Sequence, residues 1–188
     1  MTQPSKLSDY TVLSTLGKGT FGHVVKIQHN ITKQIYCWKQ INFSTFNESE
    51  KKLLVQEVNI LRELQHEYIV KYTDRIIDKS NKNIYIIMEY CSNNDLSYHI
   101  NDIRKNKLSL LPESYIWQIL YQITSALHYC HTHTPVILHR DIKPHNCFLD
   151  QHKNIKLGDF GLARILSNES QYASTQVGMY NNSCCVNI

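Results

Sequence analysis

HRDIKPHN, residues 139–146, brings a carboxylate, a lysine and a side-chain amide together and interrupts them with Pro144. Proline has no backbone donor and cannot continue a helix or a central strand, so this stretch belongs to a loop. The residue types suit one kind of chemistry. Asp141 can accept a hydroxyl proton, Lys143 can neutralise a transferring phosphoryl group, and Asn146 can ligate a magnesium ion through its amide oxygen. Further on, DFG at residues 159–161 offers Asp159 as a second hard oxygen ligand. Magnesium favours a few carboxylate or amide oxygens completed by phosphate and water, and this set supplies them.

Towards the N-terminus, GKGTFGHV at residues 17–24 has the glycine spacing of a phosphate-binding loop. The same spacing marks dinucleotide sites, but there it leads from a strand into a helix. Here the glycines sit between two strand-like stretches, which suits a hairpin folded over phosphates. Lys39 lies further along in YCWKQI, and Glu57 lies in the apolar-periodic segment NESEKKLLVQEVNILRELQ. An ion pair between them could join strand to helix and aim the ammonium at a phosphate.

Periodicity supplies the frame. YTVLSTLGKGTFGHVVKIQHNITKQIYCWKQINF alternates with period two and breaks at glycines and at HNITKQ, predicting three antiparallel strands. A helix comes next, with Leu54, Val58 and Leu61 at helical spacing, Asn47 as N-cap and Glu50 completing a capping box. IVKYTDRIID and NIYIIMEYC read as two more strands. After CSNNDL the texture changes. PESYIWQILYQITSALHYCHTH places Ile116, Ile119, Leu120, Ile123, Leu127 and Cys130 on one stripe, with Pro112 suited to the first turn. NCFLD and NIKLGD are short strand-like pieces. The prediction is an α+β chain with a mainly β first part carrying one helix, a connection near Glu89–Asn94, and a second part that begins helical.

Composition excludes several classes. A formal charge of +4 over 188 residues, with acids interspersed among the basic residues, does not suit nucleic-acid binding. The N-terminus lacks the apolar run of a signal peptide, and no stretch approaches the roughly 20 apolar residues that span a bilayer, so the expected compartment is intracellular. Cys37, Cys91, Cys130 and Cys147 stand singly in apolar or motif segments, as reduced thiols do. The histidines of HYCHTH read as helix-end groups rather than zinc ligands. CVNI at the C-terminus is a poor prenylation box because Asn187 holds a normally aliphatic position.

Taken in order, the Gly-rich loop, strand lysine, helix glutamate, HRDxxxxN and DFG resemble a eukaryotic protein kinase. CWKQINF, LVQEVNILREL, DRIID, IMEYC and IKLGDFGLARIL are more particularly similar to the NIMA-related serine/threonine kinases, over about residues 8–178. The resemblance implies a two-lobe kinase fold: an N-lobe at 8–90, the first part of a C-lobe at 91–178, and a divergent tail at 179–188. It implies transfer of the ATP γ-phosphate to protein serine or threonine hydroxyls, with Mg2+ (or Mn2+) as cofactor and neither nucleic acid nor membrane as partner. Lys143 matches the serine/threonine-type pattern. Leu16, Gly17, Gly19, Gly22 and Val24 would cover the nucleotide, Lys39 would hold its α- and β-phosphates, and Glu57 would hold Lys39. Met88 would be the gatekeeper, backbone groups of Glu89 and Cys91 would bind adenine, and Phe148 would pack beneath it. Asp141 would be the catalytic base assisted by Lys143, and Asn146 and Asp159 the metal ligands. Leu61, His139 and Phe160 would belong to an apolar spine, and Thr175 would be an activation-loop phosphosite paired with Arg140. The implied location is cytoplasmic, nuclear or centrosomal and cytoskeletal.

The sequence also departs from that family. Cys37 stands where many kinases have an alanine that touches adenine. Met179 stands where a threonine helps align the catalytic aspartate, and NNSCCVNI replaces the stretch that leads into about 80 to 100 further residues of helical lobe. In the family the apolar side of the helix near Pro112–Thr134 packs against those later helices. Two readings of function are therefore expected: an active serine/threonine kinase, or a truncated, inactive fragment that at most binds nucleotide or regulatory partners.

Overall fold

The structure, a computed structural model, describes residues 5–19, 22–106, 110–160 and 164–166, and of Gly19, Glu57 and 164–166 only the backbone. Thr20, Phe21, Gly161, Thr175, Met179 and the tail lie outside them. The described residues form two compact units, one within 1–63 and 70–90 and the other within 64–69 and 91–166.

The first unit is a five-stranded antiparallel sheet in the order β1-β2-β3-β5-β4 with one α-helix. Its strands are β1 (Tyr10–Gly19), β2 (Gly22–His29), β3 (Ile35–Asn42), β4 (Tyr72–Asp78) and β5 (Asn83–Glu89). All five strand-like stretches read from the sequence are present. Pleat and register divide the sheet into two faces. On one, Val25, Ile27, Trp38, Ile76, Tyr85 and Ile87 form a buried cluster with Leu7, Tyr10 and Tyr36 packed against it. Trp38 meets Tyr85 edge-on at 5.0 Å and Tyr10 at 6.3 Å, the geometry that aromatic quadrupoles favour. The other face carries Val24, Lys39 and Ile86 as register partners, and next to them Lys26, Cys37 and Met88.

Helix α1 spans Glu48–Glu63. The predicted capping box is formed: Glu50 N–H donates to Asn47 Oδ1 at 2.9 Å and Asn47 N–H to Glu50 Oε2 at 2.7 Å. Val58, Ile60 and Leu61 are buried.

In the second unit, α2 (Leu96–Asn106) and α3 (Glu113–Thr132) accompany short strands: β6 (Val136–Leu138), β7 (Cys147–Leu149), β8 (Ile155–Leu157) and β9 (Arg164–Leu166). β6 pairs with β9 and β7 with β8, all antiparallel, and α3 packs on β6 and β8 while α2 packs on β7. Residues 64–69 join this unit. Leu157 N–H donates to the Tyr68 carbonyl at 2.8 Å, and the His66 ring stacks on Tyr129 at 5.1 Å. Helix α2 is an element that the sequence pattern does not announce. Leu96, Ile100 and Ile103 do sit at helical spacing, and Asp95 caps the helix by accepting from Tyr98 N–H at 2.8 Å, but the polar residues between them hide the pattern.

The apolar stripe read on α3 is only partly covered. The buried face is Ile119, Gln122, Ala126 and Cys130, whereas Ile123 and Leu127 are half-buried and Ile116 and Leu120 are 44% and 46% exposed. The stripe spans more of the helix circumference than its contacts in this unit cover, and a polar residue, Gln122, takes a buried place. Trp117 and Tyr121 are exposed beside Ile116 and Leu120. No helix among the described residues is long and apolar enough to cross a membrane.

This packing leads to two expected outcomes. Ile87→Ala, at a fully buried position, should cost about 2 to 5 kcal/mol in urea unfolding, and Ile77→Ala, half-exposed on edge strand β4, within about 0.5 kcal/mol. The exposed patch on α3 should bind a hydrophobic dye, and replacing Trp117 and Leu120 together by glutamine should remove most of that fluorescence.

Candidate functional site

The glycine hairpin is built as its spacing suggests. Gly17 pairs with Val24, Lys18 with His23 and Gly19 with Gly22. Register shifts between Val12 and Ser14 and between Thr15 and Gly17 bend β1, an edge strand, just before the glycines. The two glycines answer different needs. A Cβ at Gly22 would lie 1.7 Å from the Gln40 carbonyl oxygen, so β3 itself excludes any side chain there, whereas a Cβ at Gly17 would meet nothing within 4 Å. Leu16 is 45% exposed.

Lys39 is half-buried at the centre of β3, opposite Val24 and Ile86, and Met88 shares its face two residues along the neighbouring strand. Glu57 lies in α1. Cys37 is buried, its thiol donates to the Glu89 carbonyl at 3.3 Å, and burial pushes its pKa up to about 12. It is therefore a packed thiol rather than a nucleophile. Glu89 N–H donates to the Lys71 carbonyl at 3.0 Å, so the backbone of Glu89 is engaged on both sides.

The second unit gathers the loop residues into one bonded cluster. Lys143 Nζ donates to Asp141 Oδ2 at 2.7 Å, and Asn146 Nδ2 donates to the same oxygen at 2.9 Å and to the Asp141 carbonyl at 2.8 Å. These bonds use the amide nitrogen of Asn146 and orient its oxygen away from Asp141. Asn146 is buried within a short 3-10 turn, Pro144–Asn146, for which Pro144 presets the first position. His139 is buried and serves as the joint. Its Nε2–H donates to the Gly158 carbonyl at 2.9 Å, its Nδ1 accepts from Asp141 N–H at 3.3 Å, and its ring centre lies 4.5 Å from that of Phe160. Gly158 N–H in turn donates to the Asn146 carbonyl at 2.9 Å.

That last bond sets the residue before Asp159 against Asn146. The two oxygen ligands expected from the sequence thus stand on adjoining backbone segments, with Asp159 exposed and at φ 56°. Arg140, just before Asp141, has φ 63°. Lys33, Lys82 and Lys153 also have positive φ but sit in hairpin connections; the strain at Arg140 and Asp159 lies at the cluster itself. Carboxylate and amide oxygens are the donors that magnesium takes, so the set fits that ion. Phe148 is half-buried on β7 opposite Lys156, and Cys91 is half-buried ahead of α2. Leu61 is buried in the first unit. The hydrogen-bonded hub at Gly158 and the buried place of Gln122 are features that sequence reasoning missed. The glycine before DFG and the glutamines within an apolar helix were the available signals.

Burial holds the His139 pKa below its usual 6.5, against the Gly158 carbonyl and the Asp141 and Asp159 carboxylates, which pull it up, and with a smaller lowering by Lys143. The folded chain therefore prefers neutral imidazole, and its contribution to stability is present above about pH 6.5 and lost as the pH falls through and below it. His66, lowered by burial too, acts in the same direction. Urea midpoints should fall between about pH 7.5 and 5.5, and His139→Gln should show a smaller fall than the wild-type chain; an equal fall in the variant would remove His139 as the cause.

Comparison with known proteins agrees with this geometry. The family model described as protein kinase domain matches residues 10–183. The chain is 54% identical over 173 residues to a protein named probable serine/threonine-protein kinase nek2 from Dictyostelium discoideum, covering 92% of this chain and 41% of that one. It is 46% identical over 178 residues to human serine/threonine-protein kinase Nek2, covering 93% and 40%. Against the G2-specific protein kinase nimA of Emericella nidulans it is 35% identical over 195 residues, covering 90% and 28%. The chain thus spans about 40% or less of the length of these curated relatives. With the family match running through nearly all of its residues and the bonded loop at 139–146 in place, the chain belongs to the protein kinase domain family, with likeness to the NIMA-related serine/threonine kinases.

Proposed function

We propose that this chain carries the nucleotide-binding and phosphoryl-transfer residues of an ATP-dependent serine/threonine protein kinase. The observation that carries the reading is the cluster of Asp141, Lys143 and Asn146, tied through Gly158 to Asp159. Oδ2 of Asp141 is fixed by two donors, so its other oxygen is the one offered to a substrate hydroxyl proton. Lys143, already beside that carboxylate, is positioned to offset charge on the transferring group. Asn146 and Asp159 would hold Mg2+ or Mn2+, which, when bound, offsets the charge of the phosphate oxygens.

In the first unit, Leu16, Gly17, Gly19, Gly22 and Val24 would cover ATP, Lys39 would engage its phosphates with Glu57 as the lysine's partner, and Met88 and Glu89 would meet the base. Cys91 and Phe148 are proposed as adenine contacts on the family resemblance alone. The proposed domain limits are 8–90, 91–178 and 179–188. Serine and threonine hydroxyls of proteins are the proposed acceptors, and the cytoplasm, nucleus or centrosome the proposed location. A second reading, a fragment that binds nucleotide without transferring phosphate, is favoured by the exposed Ile116, Trp117, Leu120 and Tyr121 on α3, the helix that leads into the catalytic loop.

Labelled ATP, with magnesium or manganese and a serine- and threonine-containing protein acceptor, tests both. Transfer by the wild-type chain should fall at least about a hundredfold in Lys39→Met, Asp141→Asn and Asp159→Ala, with unfolding midpoints little changed. Nucleotide binding without transfer would support the second reading, and unchanged transfer in the variants would overturn the site.

A further inference from the structure

We propose that Gln122 is a positioning residue for the metal and phosphate end of this site, acting from α3 through strand β8. The proposal rests on the kinase reading and adds to it a residue that the kinase motifs do not include.

Gln122 is 3% exposed, among the few buried polar side chains of the described residues. A buried carboxamide must find partners for its donor and its acceptor. Here both go to one place. Nε2 donates to Asn154 Oδ1 at 2.8 Å, and Oε1 accepts from Ile155 N–H at 2.8 Å. Two other residues of the same helix reach the same turn: Gln118 Nε2 donates to Asn154 Oδ1 at 3.3 Å and Tyr115 OH to the Lys153 carbonyl at 3.0 Å. Positions 115, 118 and 122 lie on one helix face, so three successive turns of α3 grip residues 153–155.

The grip matters because β8 leads straight into the metal-ligand segment. Ile155 opens β8, and β8 ends at Leu157, directly before Gly158 and Asp159. A hairpin of two three-residue strands is marginal by itself. Buried Ile155 and Leu157 with Lys156 between them fix which face of β8 turns inward, but apolar burial is non-directional and tolerates sliding along the strand. Hydrogen bonds to the backbone do not. Gln122 fixes the start of the strand, and Leu157 N–H on Tyr68 and Gly158 on Asn146 and His139 fix its end. Loosening the start lets Asp159 shift relative to Asn146, and partners that orient a metal ligand typically account for about 10- to 100-fold in metal affinity or activity.

The test is Mn2+–ATP binding to the 188-residue chain, read by water-proton relaxation and paired with thermal unfolding. Gln122→Met keeps the length of the side chain and removes both hydrogen bonds. Gln122→Glu keeps an acceptor for Ile155 N–H. Ala126→Gly, one turn along the same buried face, weakens the helix without touching β8. Gln122→Met should bind Mn2+–ATP about tenfold more weakly. Gln122→Glu should recover at least half of that loss on a logarithmic scale, and Ala126→Gly should bind as the wild type does despite a comparable drop in unfolding temperature. If Gln122→Met does not fold, Asn154→Ala, which removes the oxygen that Gln122 and Gln118 share, takes its place with the same expected direction. Wild-type affinity in the Gln122 or Asn154 variant, or an equal loss in Ala126→Gly, would overturn the positioning role. No binding of Mn2+–ATP by the wild-type chain would instead overturn the nucleotide reading, and the inference with it.

Discussion

The organisation of the second unit depends on the backbone of one residue, Gly158. Its carbonyl accepts from buried His139 and its N–H donates to the Asn146 carbonyl, so one glycine links the loop carrying Asp141 to the segment carrying Asp159. Each such bond adds only about 0.5 to 1.5 kcal/mol net, but leaving a buried group unpaired costs about 1 to 3 kcal/mol. That asymmetry is what makes the arrangement specific. A displacement of either segment strands several polar groups at once, and the loop has few alternative positions in which they are all satisfied.

The same logic explains why so many polar side chains are buried around this point. Gln122, Asn146 and His139 are all nearly inaccessible, and each has found partners for its donor or acceptor among backbone groups or neighbouring side chains. Apolar residues in their places would hold the unit together without fixing the registry of short strands. Ile137, Leu149, Ile155 and Leu157, all buried, provide the non-directional part of the stability, and the polar set selects one arrangement within it.

In the first unit the division of labour falls between the faces of one sheet. Aromatic and branched side chains fill one face, where Trp38 packs with Tyr10 and Tyr85, and its indole N–H is buried without a partner. The opposite face carries Val24, Lys39, Cys37 and Met88 in adjacent register positions. Because the side-chain period of a strand is two, a slip of one residue would exchange these sets and bury the lysine in the aromatic cluster. The large apolar face therefore fixes the register that assembles the other.

Much of this was legible in the sequence. The strands of the first unit, the Asn47–Glu50 capping box and the residue types of HRDIKPHN derive from local rules: alternation, helix-end chemistry and the exclusion of proline from regular structure. Other features were not. Helix α2 is specified mainly by a cap and three apolar residues, too weak a pattern among polar neighbours, and β6 with β9 are three-residue strands whose pairing joins segments far apart in the chain. The apolar residues of α3 indicate a helix but cannot say which of them is covered, because burial depends on what the rest of the fold sets against each side. The sequence by itself determined the elements and the chemical groups available to the site. Only the tertiary structure decided that Gln122, in the middle of an apolar stripe, meets Ile155, and that Gly158 joins Asn146 to the residue before Asp159, since such hydrogen bonds depend on distances between groups that no local periodicity encodes.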